Sequence, residues 1–205
     1  MIHQFFLDKR PHSGQTYEDY FTEFSSKNSA ANYDALSTDE KITFDRDKLN
    51  YQRSLRIQKT YSVNSLICEL INKIKESQIW MVITENWCGD SAQNLPYLAK
   101  ITKCNSLIDL RIIQRDQNLD IMDLYLSKNK TRSIPKLVAF SEYGEELFQW
   151  GPRPAEAQEL VDKLKGEGKT KDNYLEQLHL WYGRNRGRNL ENEIIEILKT
   201  KFIDI

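Results

Sequence analysis

The chain has 205 residues, 40% of them hydrophobic and 29% charged, a balance that supports a packed core and excludes both a disordered chain and a membrane-embedded one. Its net charge of -1 and pI of about 6.3 supply no global field for nucleic acid or anionic lipid. The length exceeds one minimal module and falls short of two full domains, so one core with helical additions is the expected organisation.

The first sixty residues read as helix and loop. Thr16-Tyr17-Glu18-Asp19 has the form of a capping box, and Tyr17, Tyr20, Phe21 and Phe24 then share one helical face. Ser26 to Thr38, rich in Ser, Asn and Ala, reads as loop. Asp45 to Thr60 reads as a second helix with a narrow apolar seam. Asn64 can cap a third, with Leu66, Ile67, Leu70, Ile71 and Ile74 on its buried face. No secretory leader is expected over Met1 to Arg10, which makes the cytoplasm the default location.

From residue 79 the pattern alternates between strand and helix. Ile79 to Thr84 is a short apolar run without an exposed face, as in a central strand buried on both sides. A helix is expected over Ala92 to Lys103, a strand over Asp109 to Arg115, and a helix over Leu119 to Ser127. Strands follow at Lys136 to Phe140 and Glu146 to Trp150, joined by a turn at Tyr143-Gly144. Pro154 opens a helix carrying Ala157, Leu160, Val161 and Leu164. This order implies a mixed sheet. After residue 166 the chain turns helical again, and Gly183 and Gly187 leave open where that segment divides. The expected parts are a helical extension over 1–60, a central α/β domain over 61–166 and a helical extension over 167–205.

Three cysteines, Cys68, Cys88 and Cys104, form no close pair, which argues against a disulfide framework and a Cys-rich zinc site. Cys68 and Cys104 read as small buried apolar residues, leaving one thiol for chemistry. His3, His12 and His179 have no carboxylate or cysteine at ligand spacing, so neither metal nor cofactor is expected. Arg184, Arg186 and Arg188 around Gly187 read as a solvated turn. Asp116 reads as a cap for the helix that follows it.

Cys88 lies in Trp87-Cys88-Gly89-Asp90-Ser91 at a strand-to-helix junction. A cysteine in the first turn of a helix meets unpaired N–H groups and the positive end of the dipole, which lowers its pKa, whereas the Asp90 carboxylate opposes ionisation. Pro96 follows Cys88 by eight residues, Ile134-Pro135 precedes the third strand, and Gly151 follows Pro135 by sixteen. With Asp116-Gln117-Asn118, these positions resemble the thioredoxin family over about Tyr61 to Lys165. Trp87 to Asp90, Arg132 to Leu137 and Trp150 to Pro154 are similar to a bacterial group of thioredoxin family proteins with helical additions at both ends.

The resemblance implies an α/β, thioredoxin-like fold, a mixed central sheet flanked by helices with helical N- and C-terminal extensions. It implies that Cys88 is the attacking thiol within a motif of Trp87, Gly89, Asp90 and Ser91, and that Pro135 is a cis-proline opposite it. A cis-proline cannot donate a backbone hydrogen bond, so Ile134 would dock an extended peptide. Gly151 should lie near Pro135, which makes Trp150, Gly151 and Arg153 candidate substrate contacts.

The chain departs from the family at three positions, one of them Asp90, which stands where a proline is common inside the motif. Ser91 stands where a resolving cysteine belongs, and a hydroxyl cannot complete a two-thiol exchange. Val82 stands where thioredoxins carry a buried acid. The expected activity is therefore single-thiol exchange with protein or glutathione disulfides, resolved by an external thiol, without nucleic acid or membrane partners. A redox-inactive protein-binding module using the cis-proline groove is the alternative. Cys88-Gly89-Asp90-Ser91 also resembles the Cys-Gly-Phe-Ser of monothiol glutaredoxins, but the upstream lysine and the later Gly-Gly pair of those proteins are missing.

Overall fold

The computed structural model describes residues 2–29, 33–128 and 130–202. A single turn of helix, α1 (Gln4–Leu7), precedes α2 (Tyr17–Ser29), at whose start Thr16 Oγ1 accepts the Asp19 N–H at 3.1 Å. Helix α3 (Thr38–Thr60) begins well before the expected Asp45. Ser37 and Glu40 form a reciprocal capping box there, inside a segment whose composition reads as loop. Asn64 caps α4 (Ser65–Ile71), its Oδ1 accepting the Leu66 N–H at 2.9 Å.

Strand β1 (Gln78–Thr84) is buried at every residue. It leads into α5 (Gly89–Thr102), for which Cys88 itself is the N-cap, so the helix starts three residues earlier than its apolar pattern suggests. After β2 (Ile108–Gln114), α6 (Leu119–Met122) is one turn rather than the expected helix to Ser127. Arg132 folds back to bind Asp123 through two hydrogen bonds of 2.6 and 2.7 Å, and the Ser127 N–H bonds the Thr131 carbonyl. Asp116 caps no helix; it holds Arg115, while Asn118 occupies the N-cap of α6.

Strands β3 (Lys136–Ser141) and β4 (Glu146–Trp150) precede α7 (Ala155–Gly166), α8 (Lys171–Asn185) and α9 (Arg188–Phe202). The last two helices divide at Arg186 and Gly187, both at positive φ, and Gly183 stays inside α8.

The sheet order is β2-β1-β3-β4, with β1 and β2 parallel and the other pairs antiparallel. This is the expected mixed sheet of a thioredoxin-like α/β fold. Gln15 extends the β2 edge by exchanging two 2.9 Å backbone hydrogen bonds with Ile112.

Alternation along the strands sorts the core into two layers. Trp80, Val82, Ile112, Leu137 and Ala139 face a cluster completed from α2 to α5 and α9 by Tyr20, Phe24, Ile57, Ile67, Leu98 and Ile194. Ile79, Met81, Ile83, Ile113, Val138 and Phe140 face Phe5, Phe6, Ile121 and Tyr125, and Cys88 and Ile134 belong to this second layer. A third cluster joins α7 to α8 through Ala157, Val161, Leu178 and Tyr182.

The reading of Cys68 and Cys104 as independent apolar residues is corrected. The two sulfurs are bonded, with the Cα atoms 5.3 Å apart. Spacing along α5 places Cys104 far from Cys88 but says nothing about α4. The turn after α5 docks against the end of α4, where Asn105 Nδ2 donates to the carbonyls of Ile71 and Ile74 at 2.9 and 3.0 Å. No helix among the described residues is long and apolar enough to cross a membrane.

Candidate functional site: a buried thiol at the start of α5

Cys88 sits where β1 delivers the chain to α5. Its thiol donates to the Ile134 carbonyl at 3.2 Å and accepts the Ser91 N–H at 3.4 Å. The Ile134–Pro135 peptide is cis, and both residues are buried. Gly151 holds this arrangement at close quarters. Its φ is +112°, and a Cβ there would lie 2.3 Å from the Pro135 carbonyl oxygen, so no other residue fits. The next bond, Gly151–Pro152, is also cis.

The sequence sets the helix start, which lowers the Cys88 pKa, against the Asp90 carboxylate, which raises it, and burial decides the balance. Cys88 is only 7% exposed. Burial, followed by the Asp90 charge, pushes the thiol up to about 11, while the Ser91 hydroxyl and the backbone N–H groups of Ser91 and Asp90 pull the other way. The dipole and its N–H groups are present as expected. They lose to desolvation, which acts on the charged form of any buried thiol. Ser91 Oγ lies buried beside the sulfur without a well-formed hydrogen bond of its own.

Asp90 is buried and fully engaged. Its Oδ2 takes Arg153 at 2.5 Å, and its Oδ1 accepts the Tyr182 hydroxyl at 2.6 Å. Asn94 Nδ2 donates to both the Asp90 carbonyl and the Tyr182 oxygen. Burial raises the Asp90 carboxyl against the pull of Arg153 and Tyr182. Burial also works against the Arg153 charge, but Asp90 and its neighbours outweigh it and hold the guanidinium protonated.

Three guanidiniums lie at the rim of the site, and two of them are paired with a neighbouring aspartate, Arg46 with Asp47 and Arg115 with Asp116. Trp87 packs against the apolar layer that contains Cys88, and Arg115 and Arg46 lie over its ring at 4.6 and 5.9 Å from the centre. Gly89 lies directly under the His179 ring of α8; a Cβ at 89 would be 2.9 Å from His179 Cε1 and 3.8 Å from Arg53 Nη1. Burial, then the charges of Arg53 and Arg153, push His179 down to about 4, so the ring is neutral near pH 7. Burial and Arg56 bring Arg53 to about 10. Arg53 donates to Asn50 Oδ1 at 2.9 Å, and the fully buried Asn50 donates to the Asn86 carbonyl at 3.0 Å, tying α3 to the loop before the motif.

The structure thus brings Trp87, Cys88, Gly89, Asp90, Ser91, Ile134, Pro135, Gly151 and Arg153 together. It does not bring Trp150. That side chain belongs to the opposite layer and donates from Nε1 to Glu193 of α9 at 2.7 Å, because neighbouring strand residues face opposite ways. Arg153, expected to reach a substrate, is held by Asp90. Tyr182, His179, Asn50 and Arg53 were missed. Tyr182 reads as one more member of an apolar helical face, and the only signal for it is that a buried Asp90 needs partners. Among the described residues no group of three or more His, Cys, Asp or Glu side chains could hold a metal ion.

No curated protein matches this sequence. Among solved structures, a Pseudomonas aeruginosa protein of unknown function is similar with a TM-score of 0.56 and 17% identity, over 91% of this chain and 98% of that one. An HIV epitope-scaffold is similar with a TM-score of 0.51 and 17% identity, over 91% of this chain and 99% of that one. Identities this low speak for the fold alone. A family model described as thioredoxin matches residues 35–165, more than half of the chain and the whole stretch from α3 through the Cys88 motif and the sheet to α7; the chain belongs to the thioredoxin family.

Proposed function

We propose that the protein exchanges thiols with disulfides through Cys88 alone, by way of a mixed disulfide that an outside thiol resolves. The observation that carries this reading is the position of Cys88 Sγ. It lies at the N-cap of α5, 3.4 Å from the Ser91 N–H and 3.2 Å from the carbonyl preceding Pro135, and the other two cysteines are bonded to each other. Cys88 loses its proton to solvent base, and the thiolate attacks one sulfur of R–S–S–R′. The Cys88–S–S–R bond forms, the substrate disulfide breaks, and R′–S⁻ leaves and is protonated. A second thiolate, glutathione for example, then attacks the sulfur of R, forming a new disulfide and returning Cys88 as thiolate. Ser91 supplies no second thiol, so each cycle depends on an external thiol.

With a pKa of about 11, Cys88 is thiolate in roughly one molecule in ten thousand at pH 7. Exchange therefore belongs to a form in which water reaches the sulfur, and uncovering requires movement of the segments that bury it. Arg53, beside Gly89 and in no ion pair among the described residues, favours an anionic disulfide, either glutathione disulfide or a protein disulfide in an acidic segment.

Burial of Cys88 favours a second reading, a redox-inactive module that docks a protein partner beside Pro135. Incubation with glutathione disulfide followed by mass spectrometry separates the two. Exchange predicts one glutathione on Cys88, removed by dithiothreitol and absent from Cys88→Ser. An unmodified Cys88 even at alkaline pH, with partners captured equally well by Cys88→Ala, would establish docking instead.

A further inference from the structure

On the other side of Tyr182 from the thiol, a cleft of about 770 Å³ opens between the C-terminal end of α3, the start of α4, the middle of α5 and the α8–α9 turn. A cleft of this size accommodates a small molecule. Its wall carries two guanidiniums, Arg56 of α3 and Arg186 of the α8–α9 turn, beside the rings of Tyr61, Tyr97 and Tyr182. Both arginines lie close enough to the Tyr97 phenol to favour its ionisation against burial.

Neither guanidinium is in an ion pair among the described residues, whereas Arg10, Arg111, Arg115, Arg132 and Arg153 each bind an aspartate. Glu191, the one carboxylate on the cleft wall among the described residues, is buried and committed through Oε1 to the Tyr61 hydroxyl and the Asn64 N–H. An anion in the cleft would be attracted by both guanidiniums, neither of which a salt bridge already occupies. The backbone points the same way. Arg186 ends α8 in the left-handed conformation at φ 54°, a position that glycine or asparagine occupies more readily. The turn itself does not call for an arginine. Arg184 and Arg188, its companions in the sequence, are not on the cleft wall, and Arg188 bonds the Asn185 and Arg184 carbonyls.

We propose that this cleft binds a small organic phosphate, with the phosphoryl group between Arg56 and Arg186 and the body against the three tyrosine rings. A carboxylate is satisfied by one guanidinium fork, whereas a tetrahedral dianion has oxygens for two. The site involves no thiol chemistry, so it stands or falls independently of the role of Cys88.

The test is calorimetric titration of the full chain with AMP and glucose 6-phosphate, against adenosine and glucose as unphosphorylated counterparts. Binding of a phosphorylated probe but not of its counterpart is expected. Arg56→Gln and Arg186→Asn should each weaken it about tenfold or more, and Arg184→Gln should leave it unchanged. Asparagine suits the left-handed position, and Arg56→Gln tests the same site from a different helix, so a folding defect in one variant does not remove the test. No binding of either phosphorylated probe, or binding that Arg56→Gln and folded Arg186→Asn leave intact, or an equal loss in Arg184→Gln, would overturn the proposal.

Discussion

Tyr182 stands between two regions built on opposite electrostatic terms. On one side, next to Cys88, the buried carboxylate of Asp90 is answered by Arg153 and by the Tyr182 hydroxyl itself. On the other side, in the cleft, Arg56 and Arg186 are in no ion pair among the described residues. The first region is closed: burial sets the protonation of its thiol, and its charges serve the packing of α8 and α7 on the start of α5. The second region is open to solvent, which screens its cations and makes their isolation tolerable. A charge that is paired inside a protein reports on the fold. A cation left unanswered at a cleft points outward, to something the cleft receives.

The sharpest way to break this comparison is to remove one partner on each side. Arg153→Ala leaves Asp90 as a buried charge without its cation, and the expected loss is about 3 to 5 kcal/mol in urea denaturation. Arg56→Gln removes a cation that is in no ion pair among the described residues, and the expected change is within about 0.5 kcal/mol. Equal losses in the two variants would show that the cleft arginines are structural.

The two ends of α5 make the next contrast. The start of the helix carries a free thiol, and the turn beyond its end carries Cys104, bonded to Cys68 of α4. The bridge closes a sequence separation of 36 residues, so Cys68→Ala, Cys104→Ala or reduction of the wild type should each cost roughly 2 to 4 kcal/mol against the oxidised protein. Denaturation curves in the presence and absence of dithiothreitol check this. Unchanged stability on reduction would mean that the docking of Asn105 on α4 holds that end without the bridge.

Features set by short stretches of chain were legible in the sequence. The apolar run of β1, the Trp87-Cys88-Gly89 junction, Ile134-Pro135 and Gly151 are each local patterns, and the fold places them together. What depends on helices meeting across the molecule was not legible. The Cys68–Cys104 bond requires the turn after α5 to lie on α4, and no spacing rule encodes that. His179 over Gly89, and Tyr182 on Asp90, require α8 to fold across the start of α5 from ninety residues away in the chain. Arg153 shows the cost of judging a residue by its neighbourhood alone. Its closeness to the site was anticipated, but its partner turned out to be Asp90, which had been weighed only for its effect on the thiol. The same holds for the pKa of Cys88: the helix N-terminus is readable from sequence, and the burial that overrides it is not.

That override has a measurable pH signature, smaller than the effects above. The Cys88 thiol goes from an ordinary 9.0 to about 11 in the folded protein. Between those values the unfolded chain has released the proton and the folded chain still holds it, so the unfolded state binds fewer protons and stability falls as pH rises. The contribution of a neutral buried Cys88 is fully present below pH 9 and is lost through pH 11, at a slope approaching about 1.4 kcal/mol per pH unit. Tyrosines and lysines titrate in the same range, so the quantity to measure is the difference between wild type and Cys88→Ala, which share every other group. The Asp90 charge is the second cause of the raised value, after burial. Asp90→Asn should therefore bring the folded-state midpoint, read from thiolate absorbance, down toward 9 without reaching it. If Asp90→Asn returned the thiol fully to its ordinary value, the carboxylate would be holding the thiol neutral. If the midpoint did not move, burial alone would, and Asp90 would matter to Cys88 only through Arg153 and the fold.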